Sequence, residues 1–263
     1  MRLTVAATAP FGADVLERLA ARHDVELLVT RPDARRGRGR RVAAPPAKEV
    51  AERLGIAVAQ PERLGPELEL PTETVVVAAY GLLIPEALLE RGLWLNVHPS
   101  LLPRWRGAAP VERAILAGDT ETGVTIHRTV AALDAGPIAA QRAFPLRDED
   151  DAGAVFARAA ELAVELLDAV LPEPQFHEQP AEGVTYAEKL TAADRELDLS
   201  RPREALNRIR ALSPHIGARA VVDGVPLIVW RARIGGDGAL ELLEVQPEGR
   251  RRMPWAEYLR GRR

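Results

Sequence analysis

The chain has 263 residues, 47% of them hydrophobic, with no cysteine and a formal net charge of −3. That length and apolar fraction allow one large domain plus a small one and argue against disorder, while zero cysteines exclude disulfides, thiolate metal ligands and a cysteine nucleophile. The charge is uneven: residues 31–41 hold six Arg and one Asp, residues 250–263 six Arg and one Glu, a net +5 each, so the remainder carries −13. Two basic islands on an acidic body favour a local polyanion contact. No apolar run approaches the ~18 residues of a membrane span, and the amino terminus lacks a signal-peptide pattern, so a cytoplasmic protein with no membrane partner is expected.

Leu3 to Ala6 is a short apolar run, and Phe11, Val15, Leu16 and Leu19 follow at helical spacing, so the chain opens strand then helix. The turn between them, Ala7-Thr8-Ala9-Pro10, has no Gly-x-Gly-x-x-Gly. A dinucleotide pyrophosphate therefore has no obvious cradle, which weakens a dehydrogenase reading. Val25 to Thr30 is the next strand, and residues 31–46 follow without any hydrophobic period, as expected for a long exposed loop. On composition alone, that loop fits a solvated basic linker as well as a mobile finger whose guanidiniums grip phosphates. Lys48 to Leu54 reads as helix, and Thr74 to Ala79 as a strand buried in a parallel sheet, with Tyr80 to Pro85 leaving its carboxyl end.

Leu93 to His98 reads as an apolar strand on which Asn96 and His98 face the same side, because side chains alternate with period two. Pro99 ends the strand and leaves the imidazole at its carboxyl edge, where open α/β sheets bind ligands. An amide beside an imidazole suits oxyanion stabilisation coupled to proton movement at a carbonyl carbon. The plain alternative is a buried polar pair satisfied by neighbouring backbone. Ala109 to Ala117 reads as helix and Gly123 to Val130 as strand, with His127 structural because no acidic residue neighbours it in sequence. Leu133 to Pro137 is a turn, in which an Asp is ordinarily turn chemistry, and Ile138 to Phe144 is the last strand of the sheet. Asp151 to Leu171 is an alanine-rich helix capped by Asp150 or Asp151. Beyond a linker, a helix from Arg203 precedes strands at Ala218 to Val222, Val225 to Arg233 and Ala239 to Val245, with turns at Asp223-Gly224 and Gly235-Gly236. These strands suggest a small β-barrel-like module.

Asn96-Val-His-Pro-Ser-Leu-Leu-Pro103, the following Arg104-Trp-Arg-Gly-Ala-Ala-Pro110, and Leu133-Asp-Ala-Gly-Pro137 resemble the formyltransferases that use 10-formyltetrahydrofolate. Tyr186-Ala-Glu-Lys-Leu-Thr191 and Gln246-Pro-Glu-Gly-Arg-Arg-Arg-Met-Pro254 extend the resemblance toward the branch acting on methionyl-tRNA. It implies an α/β, Rossmann-like open-sheet catalytic domain over residues 1–172, a linker over 173–184, and a shortened OB-like tRNA-binding domain over 185–263. It implies Asn96, His98 and Asp134 as the catalytic set. The folate pocket would comprise Ser100, Leu101, Leu102 and Pro103 together with Ala79, Tyr80, Gly81, Leu82 and Leu83. Arg35, Arg36, Arg38, Arg40 and Arg41 would grip initiator methionyl-tRNA, with Arg38 matching the principal arginine. The implied protein is a monomer that uses 10-formyltetrahydrofolate as formyl donor, needs no metal and makes N-formylmethionyl initiator tRNA for translation initiation. Two other readings stay open: a sugar-nucleotide amine N-formyltransferase with the same chemistry, and a non-catalytic RNA-binding protein using the basic loop and the β-module.

Overall fold

The computed structural model describes residues 1–36 and 41–261. Seven strands form an open sheet in the spatial order Ile138–Pro145, Glu121–Arg128, Leu93–His98, Thr74–Ala78, Arg2–Ala7, Asp24–Val29 and Ala57–Ala59. Pairing is parallel from Leu93–His98 across to Ala57–Ala59, whereas Leu93–His98 pairs antiparallel with Glu121–Arg128. The sheet is thus mixed. Val75, Val76, Val77 and Ala78 are all buried, as expected for a continuous β-branched run in a parallel sheet covered on both faces.

The first helix, Pro10–Ala20, begins on a proline, whose missing N–H costs nothing at that position, and buries Phe11, Val15, Leu16 and Leu19 as their spacing predicts. Gly12 lets it lie against the sheet, since a Cβ there would collide with the carbonyl oxygen of Ala78. Helix Pro46–Leu54 also starts on proline and stops at Gly55, which takes φ 72°. The long helix Ala152–Val170 is capped by Asp151, whose carboxylate accepts from the Ala154 N–H at 2.9 Å; Asp150 accepts instead from the Arg147 N–H.

The basic stretch departs from a plain loop. Ala34–Arg36 and Arg41–Ala43 pair antiparallel as a short ribbon. Such a ribbon satisfies its own backbone groups without covering any core, so it leaves no hydrophobic period in the sequence; Val42 is exposed. Arg38 and Arg40 lie outside the described residues. The short strand Ala57–Ala59 and the short helices Glu86–Leu89 and Trp255–Arg260 were not legible either, being too brief for periodicity to register.

By contact the chain divides into two compact units. One comprises Met1–Arg106, Gly123–Ala143 and Ala157–Thr185; the other Gly107–Thr122, Phe144–Phe156 and Tyr186–Arg263. The second unit carries a four-stranded sheet in the order Ala218–Val222, Val225–Ile234, Leu240–Pro247 and Met253–Pro254, antiparallel throughout. Its core includes Ile209, Leu212, Leu227, Val229, Val245 and Tyr258. Asp223 and Gly224 join its first two strands with φ 50° and 76°, the positive values that a two-residue hairpin turn demands. Within the first unit the segment 173–184 is tied down, because His177 exchanges backbone hydrogen bonds of 2.8 and 3.0 Å with Ile138. Among the described residues no helix is long and apolar enough to cross a membrane.

Gly12→Ala is expected to destabilise the fold by about 1–3 kcal/mol through overpacking against Ala78, read as a lower urea midpoint with an unchanged slope.

Candidate active site

Leu93–His98 delivers Asn96 and His98 to one face, and Pro99 stops the ladder directly after the imidazole. The antiparallel neighbour then decides what stands beside them: in register, His127 lies opposite Asn96 and Thr125 opposite His98. The Asn96 amide gives one N–H to His127 Nε2 at 3.0 Å and one to Asp134 Oδ1 at 3.2 Å. His98 donates from Nε2 to the Trp105 carbonyl at 2.8 Å, which leaves Nδ1 facing Asp134 Oδ2 at 3.7 Å. That last separation is an ion-pair distance, longer than a hydrogen bond. Both imidazoles are buried, at 4% and 1% exposure for His98 and His127.

His127 is electrically silent in this cluster. Burial, with the His98 ring as the second cause, pushes its imidazole from 6.5 down to about 4, although Asp134 pulls the other way. Its hydrogen bonds fit a neutral ring: Nδ1 donates to the Arg128 carbonyl at 3.0 Å, so Nε2 keeps a lone pair for the Asn96 amide. Sequence order gave His127 no acidic neighbour, yet Asp134 Oδ1 stands 3.7 Å from its Nε2. The signal that could have found it was the alignment of two strands in antiparallel register, with His127 opposite the amide.

Three non-glycine residues around this edge hold left-handed backbone: Ala79 at φ 47°, Trp105 at 63° and Asp134 at 47°. Such conformations cost about 1–3 kcal/mol each and persist only where their surroundings over-determine them. Around Trp105 and Asp134 those surroundings are hydrogen bonds to the site itself.

The two candidate folate segments leave the sheet at the same edge, since Val77 of Thr74–Ala78 is in register with Asn96. Ser100 is fully buried and its hydroxyl is spent on the Arg104 carbonyl at 2.7 Å, while Thr125 Oγ1 donates to the Ser100 carbonyl at 2.7 Å. Gln141 donates to the Leu102 carbonyl at 2.9 Å. The segment Ser100–Pro103 is therefore pinned as a rigid wall. In the other segment, Gly81 takes φ 80°, Leu82 and Leu83 present apolar side chains to solvent, and the buried Tyr80 hydroxyl has no hydrogen-bond partner. Of the arginine group, Arg35 is exposed on the ribbon; Arg36 and Arg41 are placed by backbone alone. Among the described residues no group of three or more His, Cys, Asp or Glu is placed to hold a metal ion.

Comparison with known proteins agrees with this architecture. The Formyl transferase family matches residues 1–171. A methionyl-tRNA formyltransferase of Paracoccus denitrificans (strain Pd 1222) is 40% identical, covering 99% of this chain and 97% of the relative. That of Halorhodospira halophila (strain DSM 244 / SL1) is also 40% identical, over 100% of this chain and 96% of its own. A solved methionyl-tRNA formyltransferase from Clostridium thermocellum shares the fold with TM-score 0.67 at 17% identity, over 94% of this chain and 98% of that one.

Because His127 is depressed in the folded state, its contribution to stability is complete above pH 6.5 and is lost as pH falls toward about 4. His127→Gln keeps an acceptor for Asn96 but does not titrate. Urea unfolding at pH 7 and pH 4.5 is expected to show a smaller acid loss of stability in His127→Gln than in the parent.

Proposed function

The chain belongs to the methionyl-tRNA formyltransferase family, and from that premise we propose how its residues move a formyl group from 10-formyltetrahydrofolate to the α-amino group of initiator methionyl-tRNA. The observation that carries the reading is the contact of Asn96 with Asp134 at 3.2 Å, with His98 Nδ1 3.7 Å from the same carboxylate, at the carboxyl edge of the sheet. Bound folate supplies the formyl group on N10, and the residues that hold its pterin are Ala79, Tyr80, Gly81, Leu82 and Leu83 opposite Ser100, Leu101, Leu102 and Pro103.

Both amide hydrogens of Asn96 are engaged before substrate arrives. The bond to Asp134 is the longer and is the one given up, so one N–H turns to the formyl oxygen as negative charge develops there. A preorganised donor of this kind stabilises the transition state by about 3 kcal/mol. His127, neutral and fixed, holds the other N–H and so sets the plane of the amide. Asp134, relieved of Asn96, accepts the proton of the attacking amine directly or through water. His98, anchored by Nε2 on the Trp105 carbonyl, presents Nδ1 between the carboxylate and the reacting centre and passes a proton toward the departing N10; acid–base transfer of this kind adds about 10²–10⁴-fold. No step requires a metal.

The arginines at 35, 36, 38, 40 and 41 grip the tRNA through successive phosphates, more cations than the single diphosphate of a sugar-nucleotide acceptor would engage. Residues 185–263 serve as the tRNA-engaging module, of OB-like type, and residues 1–172 as the catalytic domain. The protein works as a cytoplasmic monomer.

Transfer of labelled formyl is expected to Met-tRNA and not to an amino-sugar nucleotide, nor to water when acceptor is omitted; transfer to the sugar would overturn the substrate assignment. Asn96→Ala and His98→Ala are each expected to lower kcat by about 10²-fold or more while the far-ultraviolet spectrum stays unchanged. Arg38→Ala is expected to raise KM for tRNA and flatten its salt dependence by about one unit of slope without changing folate affinity.

A further inference from the structure

Asp134 stands in left-handed backbone, at φ 47°, on the turn between Glu121–Arg128 and Ile138–Pro145. Asp enters that region more readily than most residues with a Cβ, yet at a cost, and here its backbone is also held from outside the turn. The group that holds it comes from the segment expected to be a linker. Gln179 Nε2 donates one N–H to the Asp134 carbonyl and the other to the Gly136 carbonyl, both at 2.8 Å. Its Oε1 accepts from Arg106 at Nε, 3.1 Å, and at Nη2, 2.6 Å. Two donors and two lone pairs are thereby all used. The segment that delivers Gln179 is itself fastened, by the His177 backbone bonds to Ile138 and by the Phe176 ring, whose centroid lies 4.4 Å from the Arg128 guanidinium carbon.

The other end of the clamp also reaches the site. Arg106 follows Trp105, whose carbonyl accepts the hydrogen bond from His98 Nε2 and whose N–H donates to Thr185 Oγ1 at 2.8 Å. One side-chain amide therefore ties the turn that carries Asp134 to the segment that orients His98. We propose that Gln179 is a positioning residue: it sets the Asp134 carboxylate against His98 Nδ1 and the Asn96 amide, and acts on turnover only through them. The inference rests on the reading of Asp134 and His98 as the proton-moving pair.

Gln179→Glu and Gln179→Leu separate the clamp from mere packing. Glutamate is isosteric and keeps an acceptor for Arg106, but it turns an oxygen, in place of both N–H donors, toward two carbonyls. Leucine removes both halves. In the full chain, kcat for Met-tRNA formylation is expected to fall about 10–100-fold in each, as a misplacement of 1 Å or less at the reacting groups does. KM for tRNA and for the formyl donor should stay within about twofold, because the donors and lone pairs of the Gln179 amide are already used within the protein. Amide hydrogen exchange over the turn, residues 132–137, should quicken in both variants and not in the strands of the sheet. Parent-like kcat and exchange in Gln179→Glu would overturn the proposal, as would faster exchange spread through the whole sheet, which marks general loosening. Failure of the parent chain to formylate Met-tRNA would remove the formyl-transfer reading instead; exchange at 132–137 would then decide the clamp alone, faster supporting it and unchanged refuting it.

Discussion

The antiparallel pairing of Leu93–His98 with Glu121–Arg128, inside a sheet whose other pairings on the far side of Leu93–His98 are parallel, is the constraint on which the site depends. Pro99 ends one strand directly after His98, and the register of its partner then places His127 beside Asn96 and Thr125 beside His98. Thr125 is spent on the rigid wall: its hydroxyl donates to the Ser100 carbonyl and accepts from the Leu102 N–H at 3.2 Å. One strand pair thus fixes both the Asn96 and His98 side chains and the backbone of the segment that follows Pro99. A slip of one residue in this register would send Asn96 and His98 to face different neighbours.

The electrostatics of the cluster follow from burial. Two imidazoles and a carboxylate share a space nearly closed to solvent, and three ionised groups there would be costly. The cost is avoided by keeping His127 neutral, which its hydrogen bond to the Arg128 carbonyl makes compatible with accepting from Asn96. The carboxylate then has a neutral ring on its His127 side, with His98 Nδ1 3.7 Å and the Asn96 amide 3.2 Å away.

Strain and restraint are paired around the site. Trp105 and Asp134 hold unfavourable backbone, and each is met by polar groups that fix it: the Trp105 carbonyl by His98, its N–H by Thr185, and the Asp134 carbonyl by Gln179. The energy of those bonds offsets part of the cost of positive-φ backbone at residues that carry a Cβ. Sites built from over-determined loops on a rigid sheet keep reacting groups within the narrow tolerance that proton transfer requires.

Much of this was legible in the residues themselves. The strand Leu93–His98 and its stop at Pro99, the helices starting on Pro10 and Pro46, the two-residue turn at Asp223-Gly224 and the place of Asn96 and His98 at a sheet edge all follow from local rules: period-two alternation, the missing proline N–H, and the positive φ that Asp-Gly tolerates. Asp134 could be set with them only by a motif resemblance, because an Asp in a turn carries no local sign of where it points. The tertiary structure alone decided the rest. His127 is 29 residues from His98, and Gln179 is 45 from Asp134. Their roles come from strand register and from a fastened connecting segment, and neither leaves a periodic trace, since a single side chain that meets its partner across the fold has no neighbours in sequence to announce it.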